Sequence, residues 1–473
     1  MKKILLLSVL AFAALLNNGA YAQVNSNSFK EKFDEYRSEM LKDFDTFRNE
    51  SAKQYKQYTD AIYAEYKEFL SSIKKIWGEG GVVEDTKTTW VEYSKDLKSR
   101  SIVDFENGKI DVEIIVDNSD VNDSTLIEQR LADAVNDLLS SKGQTLPFES
   151  EVEKQEPISQ TPILEGLVDF SIYDINESEV LSENELQPKD AESKKMTPPV
   201  SDVKDKISEK TEGSVAKSEK VYVVAEKVAK EAGNQPQKES DKNRITVEKA
   251  GKIVKYDAEA IIKAIVEQSK KLSHKVKGED KKERTMVKIE MALVSDNLSK
   301  NAAVYKDYVE QYSKKFEIEQ PLIFAVVEQE SYFNPKAKSW VPAYGLMQLV
   351  PTSGGYDAYK YVYKNDWIPT PSYLYIPHQN IELGTAYLRI LMNQFASVKN
   401  PECRRLCVIA SYNTGAGNVS RAFTGNTNLK MAIPIINEYS YQQLYEYLTN
   451  MLGSEEARKY VSGVSRRREK YMK

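Results

Sequence analysis

The stretch that decides the fold is Ala325–Thr352, AVVEQESYFNPKAKSWVPAYGLMQLVPT. Leu322, Ile323, Ala325, Val326 and Val327 make an apolar run that leads to one acid, Glu330, and Asn334-Pro335 closes the segment. Pro321 suits a first helical turn and Asn-Pro suits a stop, so the spacing predicts a helix with a buried body. Glu330 then leaves that helix in an apolar neighbourhood, which raises a carboxyl pKa and suits a general acid. Gly345-Leu346-Met347-Gln348 predicts a tight turn that presents an amide beside an apolar pair. A lone Glu at a helix exit is more often a solvated residue, so composition alone does not make Glu330 a catalyst.

A second element follows downstream, Ala410-Ser411-Tyr412-Asn413-Thr414-Gly415-Ala416-Gly417. Together with Glu330-Ser331, Asn334-Pro335, Ala337, Ser339 and Gly345–Gln348, and in this order, it resembles the signature of soluble lytic transglycosylase (goose-lysozyme-like) domains. The resemblance implies an all-α, lysozyme-like catalytic domain over residues 299–473. It implies cleavage of the β-1,4 bond from N-acetylmuramic acid to N-acetylglucosamine in peptidoglycan glycan strands. Glu330 would protonate the leaving oxygen and then take the proton of the muramyl 6-hydroxyl, leaving a 1,6-anhydromuramyl end. By the same resemblance Ser331 would orient Glu330, and Gly345, Met347, Gln348, Tyr412 and Asn413 would bind or position sugar. Tyr460, in Ala457-Arg458-Lys459-Tyr460-Val461, matches a family Tyr close to the acid. The family often has Gly-Ala before x-Gly-Leu-Met-Gln, whereas Pro342-Ala343 stands here.

Ordinary glycoside hydrolysis uses two carboxylates, and the matched elements hold one. A hydrolytic goose-type lysozyme is the second reading, with Asp357 or Asp366 as candidate second acids. A non-catalytic wall-binding scaffold built on the N-terminal aromatic stripe is the third.

The remainder of the 473 residues sorts into segments of contrasting composition. Residues 1–22 read as a signal peptide: Lys2-Lys3, an apolar run to Leu16, and Ala20-Tyr21-Ala22 at the cleavage site. Export to the periplasm follows, and no Cys near the cleavage site offers a lipid anchor. Residues 23–76 read as an amphipathic or coiled-coil helix. Phe29, Phe33, Tyr36, Met40, Phe44, Phe47, Tyr55, Ile62, Tyr66, Phe69 and Ile73 form its stripe, a possible surface for self-association or a protein partner. Residues 77–140 with 244–298 are expected to form one small α+β domain. Its parts are a hairpin over Arg100–Ile115 with Asn107-Gly108 at a type I′ turn, a helix over Ser124–Leu139, an N-cap at Asp257 and a strand through Val287, Ile289, Met291 and Leu293. Ile76-Trp77-Gly78 and the hairpin are similar to the N-terminal domain of the membrane-bound lytic transglycosylase C family, whose members are normally lipidated. Residues 141–243, rich in Glu, Lys, Ser, Gln and Pro, read as a disordered charged insert, with short pieces near Val221. The fold class is therefore α+β overall.

Other chemistries find little support. Cys403 and Cys407 with His274 and His378 make no metal-ligand cluster, and no phosphate-binding loop occurs, so neither metal nor cofactor is expected. A net charge of −5, from 66 Lys and Arg against 71 Asp and Glu, excludes nucleic-acid binding by bulk charge. Cys403 and Cys407 are a local disulfide or a reduced pair. Arg466-Arg467-Arg468 with Lys470 and Lys473 reads as a solvated helix end, and contact with anionic wall polymers or lipid head groups is the weaker reading.

Overall fold

A computed structural model describes residues 26–174, 244–249, 252–339 and 342–472, with 26–49, 244–249 and 252–256 described by backbone alone. The expected signal peptide, residues 175–243 of the charged insert with Val221, and the pair Trp340-Val341 lie outside the described residues. The architecture is α+β: a five-stranded antiparallel sheet flanked by helices, followed by a helical domain.

The expected N-terminal helix is one element, α1 (Ser26–Trp77), 52 residues long. β1 (Thr89–Tyr93), β2 (Ser99–Asp104), β3 (Lys109–Asp117), α2 (Ser124–Ser140), β4 (Arg244–Lys249), β5 (Lys252–Asp257), α3 (Ala258–Gln268), β6 (Leu272–Lys277) and β7 (Glu283–Ala292) follow. The sheet order is β1-β2-β3-β7-β6, and β4 with β5 forms a separate two-stranded hairpin. Asp123 and Asp257 cap α2 and α3 by accepting from the Leu126 and Glu259 amides.

Alternation decides the packing of the sheet. Ile110, Val112 and Ile114 face Met291, Ile289 and Val287 across β3 and β7, all buried. Leu131, Val135 and Leu138 of α2 and Ile261 and Ile265 of α3 cover that face. One such aliphatic side chain is worth about 1.5–3 kcal/mol when fully buried. The intervening Ile115 and Met286 point to the other face and meet Ile73 and Trp77 at the end of α1. Trp77 Nε1 donates to the Leu97 carbonyl at 2.7 Å, and the Arg100 guanidinium sits 4.0 Å over the indole.

Two expectations need correction. The hairpin does not turn on a two-residue type I′ loop: Asp104 pairs with Lys109, leaving four residues between the strands. Gly108 has φ 67 but Asn107 is not left-handed, whereas a type I′ turn needs both. Phe105 is instead drawn into the core at 2% exposure. The second correction concerns the insert, whose first third is folded. Leu146, Ile158, Leu164, Leu167, Val168 and Phe170 are buried, and Val168 bridges to Leu293. Leu164, Leu167, Val168, Phe170 and Tyr173, set within a charged run, join the core of the sheet domain and anchor this stretch to it.

The C-terminal domain consists of α4 (Asn297–Val304), α5 (Lys306–Phe316), α6 (Gln320–Ser331), α7 (Tyr356–Tyr363), α8 (Pro371–Tyr375), α9 (Pro377–Gln394), α10 (Pro401–Thr414), α11 (Ala416–Thr424), α12 (Leu429–Ile436), α13 (Tyr441–Met451) and α14 (Glu455–Tyr471). α6 and α10 lie inside it, and Leu322, Ile323, Val326, Val327, Cys407 and Val408 are fully buried. Cys403 and Cys407 are free thiols on the inner face of α10.

The C-terminal half of α1 lies against its own chain. Phe69 stacks near Phe148 and edge-on to Tyr93, and Tyr66 meets Phe148 while the Lys338 ammonium sits 4.6 Å from its ring. Tyr58 hydrogen-bonds Glu153. The aromatic stripe over this half therefore has an intramolecular partner.

Candidate active site

Pro321 starts α6, and the helix ends at Ser331 because Tyr332 and Phe333 turn left-handed, with φ 51 and 65. Asn334 completes the stop: its Oδ1 accepts from the Lys336 amide at 2.9 Å. Glu330 thus stands one residue inside the helix exit, 5% exposed. The Tyr460 hydroxyl donates to Glu330 Oε1 at 2.7 Å, and Lys87 Nζ lies 3.4 Å from Oε2. Burial raises the Glu330 pKa; Lys87 opposes the rise most, the Tyr460 hydrogen bond opposes it too, and the charge of Glu456 adds to it. The expectation of a buried acid with a raised pKa holds, and Tyr460 is its direct partner.

Tyr460 is placed by α14, which packs along α6. Glu328 on α6 is buried, forms an ion pair with Arg467 Nε at 3.1 Å, and accepts from Lys470 Nζ at 3.1 Å and the Tyr471 hydroxyl at 2.6 Å. Arg468 pairs with Glu319. Arg467 and Arg468 are therefore not a solvated helix end. They bolt α14 to α6, and a charged partner buried on α6 is what the sequence alone did not reveal.

The Gly345–Gln348 turn forms as expected. Gly345 has φ 74, and a Cβ there would fall 2.2 Å from the Leu374 carbonyl oxygen, so glycine is required. Three helices clamp the turn through its backbone. Ser331 Oγ donates to the Leu346 carbonyl at 2.8 Å, the Tyr412 hydroxyl donates to the Met347 carbonyl at 2.9 Å, and Asn380 Oδ1 accepts from the Met347 amide at 2.7 Å. Asn380 Nδ2 further donates to the Tyr344 and Leu374 carbonyls.

This geometry changes several expected roles. Ser331 is fully buried and its hydroxyl serves Val327 and Leu346, so it orients the turn rather than the Glu330 carboxyl. Met347 is fully buried. Gln348, at φ 46, spends its Nε2 on the Ala337 and Gly345 carbonyls, and its buried Oε1 has no protein partner. Asn413 is half-exposed and donates to Glu456 Oε1 at 3.3 Å. Asp366 bonds the Tyr356 hydroxyl and Lys360, and exposed Asp357 stands on α7, so neither candidate second acid is bound to Glu330.

Lys87 and Asn380 were missed. Lys87 lies 243 residues from Glu330 and belongs to the sheet domain. Asn380 reads as an ordinary first-turn polar residue of α9. A recess of about 470 Å³ opens beside the acid, lined by Lys87, Gln329, Glu455, Glu456, Lys459 and Tyr460. Among the described residues no group of three or more His, Cys, Asp or Glu is placed to hold a metal ion.

Residues 307–433, within the helical domain, match the transglycosylase SLT domain family. Residues 52–169 match the family described as membrane-bound lytic murein transglycosylase C, N-terminal domain. Both matches lie in one polypeptide. The membrane-bound lytic murein transglycosylase C of Pectobacterium atrosepticum is 41% identical over 185 residues, which cover 39% of this chain and 51% of that protein. Its counterpart in Cronobacter sakazakii is 40% identical over 190 residues, covering 40% of this chain and 52% of that protein. The chain spans about half the length of the curated relatives it matches. Among solved structures, a complex of the 70-kDa soluble lytic transglycosylase with bulgecin A is 28% identical, with a TM-score of 0.30, covering 37% of this chain and 25% of that one.

Proposed function

We propose that the protein is a peptidoglycan lytic transglycosylase that uses Glu330 as its single acid and base. The carrying observation is a buried carboxyl, raised in pKa by burial, held by the Tyr460 hydroxyl beside an open recess. The protonated Glu330 donates its proton to the glycosidic oxygen between N-acetylmuramic acid and N-acetylglucosamine as the C1–O bond breaks. The muramyl 6-hydroxyl adds to C1, and its proton passes to the Glu330 carboxylate. Water is not consumed and the acid form is regenerated. A group that serves as acid and then base works best with a pKa near the operating pH. Burial raises the Glu330 pKa, and Lys87 opposes that rise.

Asn413 and Glu456 border the recess side of the site. The N-terminal residues 1–22 support export to the periplasm, where the substrate lies. No helix among the described residues is long and apolar enough to cross a membrane. The first half of α1 is the segment offered to a second copy or a partner, and sedimentation of a chain lacking residues 23–50 tests that role.

Purified protein digesting sacculi, with products identified by mass spectrometry, tests the reaction. Anhydromuramyl ends are expected. Reducing ends would instead establish a hydrolase.

A further inference from the structure

The sheet domain reaches into the active site. Residues 82–88, the strap before β1, are stiffened locally. Asp85 Oδ1 accepts from the Val91 amide at 2.8 Å, and Thr86 Oγ1 accepts from the Thr89 amide at 3.0 Å. The strap is tied to the residues just beyond α6. Asn334, fully buried, offers Nδ2 to the carbonyls of both Thr86 and Lys87, each at 3.4 Å, and the Lys338 amide donates to Thr86 at 3.3 Å. Lys336, 2% exposed, donates to the Gln144 and Thr145 carbonyls and places its ammonium 4.5 Å from the Tyr375 ring. The backbone that carries Lys87 is therefore registered on the same short segment that carries Glu330.

We propose that Lys87 is a positioning residue for Glu330, supplied to the transglycosylase site by the N-terminal domain, which makes that domain part of the catalytic unit. The inference rests on the reading of Glu330 as the acid. Lys87 Nζ lies 3.4 Å from Oε2, while the Tyr460 hydroxyl takes the other oxygen, Oε1. Both partners favour the carboxylate: the Tyr460 hydroxyl donates to one oxygen, and Lys87 stabilises the negative charge left after proton donation. The other charges around the acid come from α14. Glu456 faces Glu330, Lys459 pairs with Glu455 at 2.6 Å, and Arg467 is engaged with Glu328 and Gln329. From α10, Tyr412 faces it as a neutral phenol raised well above its ordinary pKa by burial. Among the described residues, Lys87 is the cation hydrogen-bonded to Glu330.

The sign of the effect follows. With Lys87 present the carboxylate is favoured, so its removal moves the Glu330 titration to higher pH. The same removal slows proton donation where Glu330 is fully protonated, because the developing carboxylate loses its cation. Lys87→Met and Lys87→Arg, compared with the wild-type chain, separate these effects. The Glu330 carboxyl is followed by infrared difference titration, with Glu330→Gln identifying its band, and release of anhydromuropeptides is followed from pH 4 to 9. In Lys87→Met the band should titrate at higher pH, the alkaline limb of activity should move with it, and the low-pH plateau should fall about tenfold. Lys87→Arg should restore both. A Lys87→Met band that titrates as in wild type would overturn the proposal. A shifted band in a protein that releases no anhydro product would uphold the contact and overturn the reaction.

Discussion

Two backbone segments border Glu330, and they are held in opposite ways. The Gly345–Gln348 turn is gripped by Ser331, Asn380 and Tyr412 from three helices, and its Leu346 and Met347 are fully buried. The strap 82–88 is held by its own Asp85 and Thr86 and by two long hydrogen bonds from Asn334, and the Lys87 side chain keeps 39% of its exposure. The turn is a piece of core that happens to line the site, so altering it costs stability first. The strap is surface that happens to reach the acid, so altering it costs chemistry first.

The largest break in that comparison is Gly345→Ala. Its Cβ would meet the Leu374 oxygen at 2.2 Å in a left-handed conformation, and a loss of about 3–5 kcal/mol is expected in urea unfolding. A loss below about 1 kcal/mol would show that the turn is not rigid. Asn380→Leu comes next. It strips partners from the Met347 amide and from the Tyr344 and Leu374 carbonyls, at about 1–3 kcal/mol for each orphaned buried group that finds no water. Unchanged stability would mean the clamp is ornamental.

The smaller effects sharpen the other side. Thr86→Val removes acceptors for the Thr88 and Thr89 amides on an exposed residue, so the expected cost is about 1 kcal/mol or less, with activity falling further than stability. Equal losses in both would erase the distinction drawn above. Last is the pH dependence of stability at the acid itself. The folded Glu330 pKa lies above its unfolded value, so the folded chain binds this proton more tightly. That contribution is complete below the unfolded pKa and is lost as pH rises through the folded one. Glu330→Gln should therefore melt higher than wild type at pH 8, with the gain vanishing at pH 4. A gain of the same size at both pH values would contradict a buried, titrating carboxyl.

The same contrast explains what the sequence disclosed. Glu330, the Gly345–Gln348 turn and Tyr412 were legible through the resemblance of two contiguous motifs, although the Tyr412 hydroxyl serves the Met347 carbonyl. Tyr460 was legible by likeness to the same motif set, and the structure puts its hydroxyl on the acid. Lys87 was not legible, since nothing local distinguishes one lysine in a loop when its partner is 243 residues away. Asn380 hid as a polar residue in a first helical turn, and its burial is imposed by the turn it clamps. Residues 141–174 were misread because their average composition is charged, although Leu146, Ile158, Leu164, Leu167 and Phe170 are spaced to anchor an irregular chain. Ser331 was given the wrong target: adjacency to Glu330 in sequence suggested contact, but neighbours on a helix point apart by about 100°.

The account stands or falls on Glu330. Purified wild-type and Glu330→Gln chains, matched by circular dichroism, are to be compared for clearing of sacculi and release of anhydromuropeptides. The account predicts a folded variant whose activity falls by about 100- to 10,000-fold, the usual contribution of general acid–base catalysis. A folded Glu330→Gln chain that clears sacculi at near wild-type rate would contradict it.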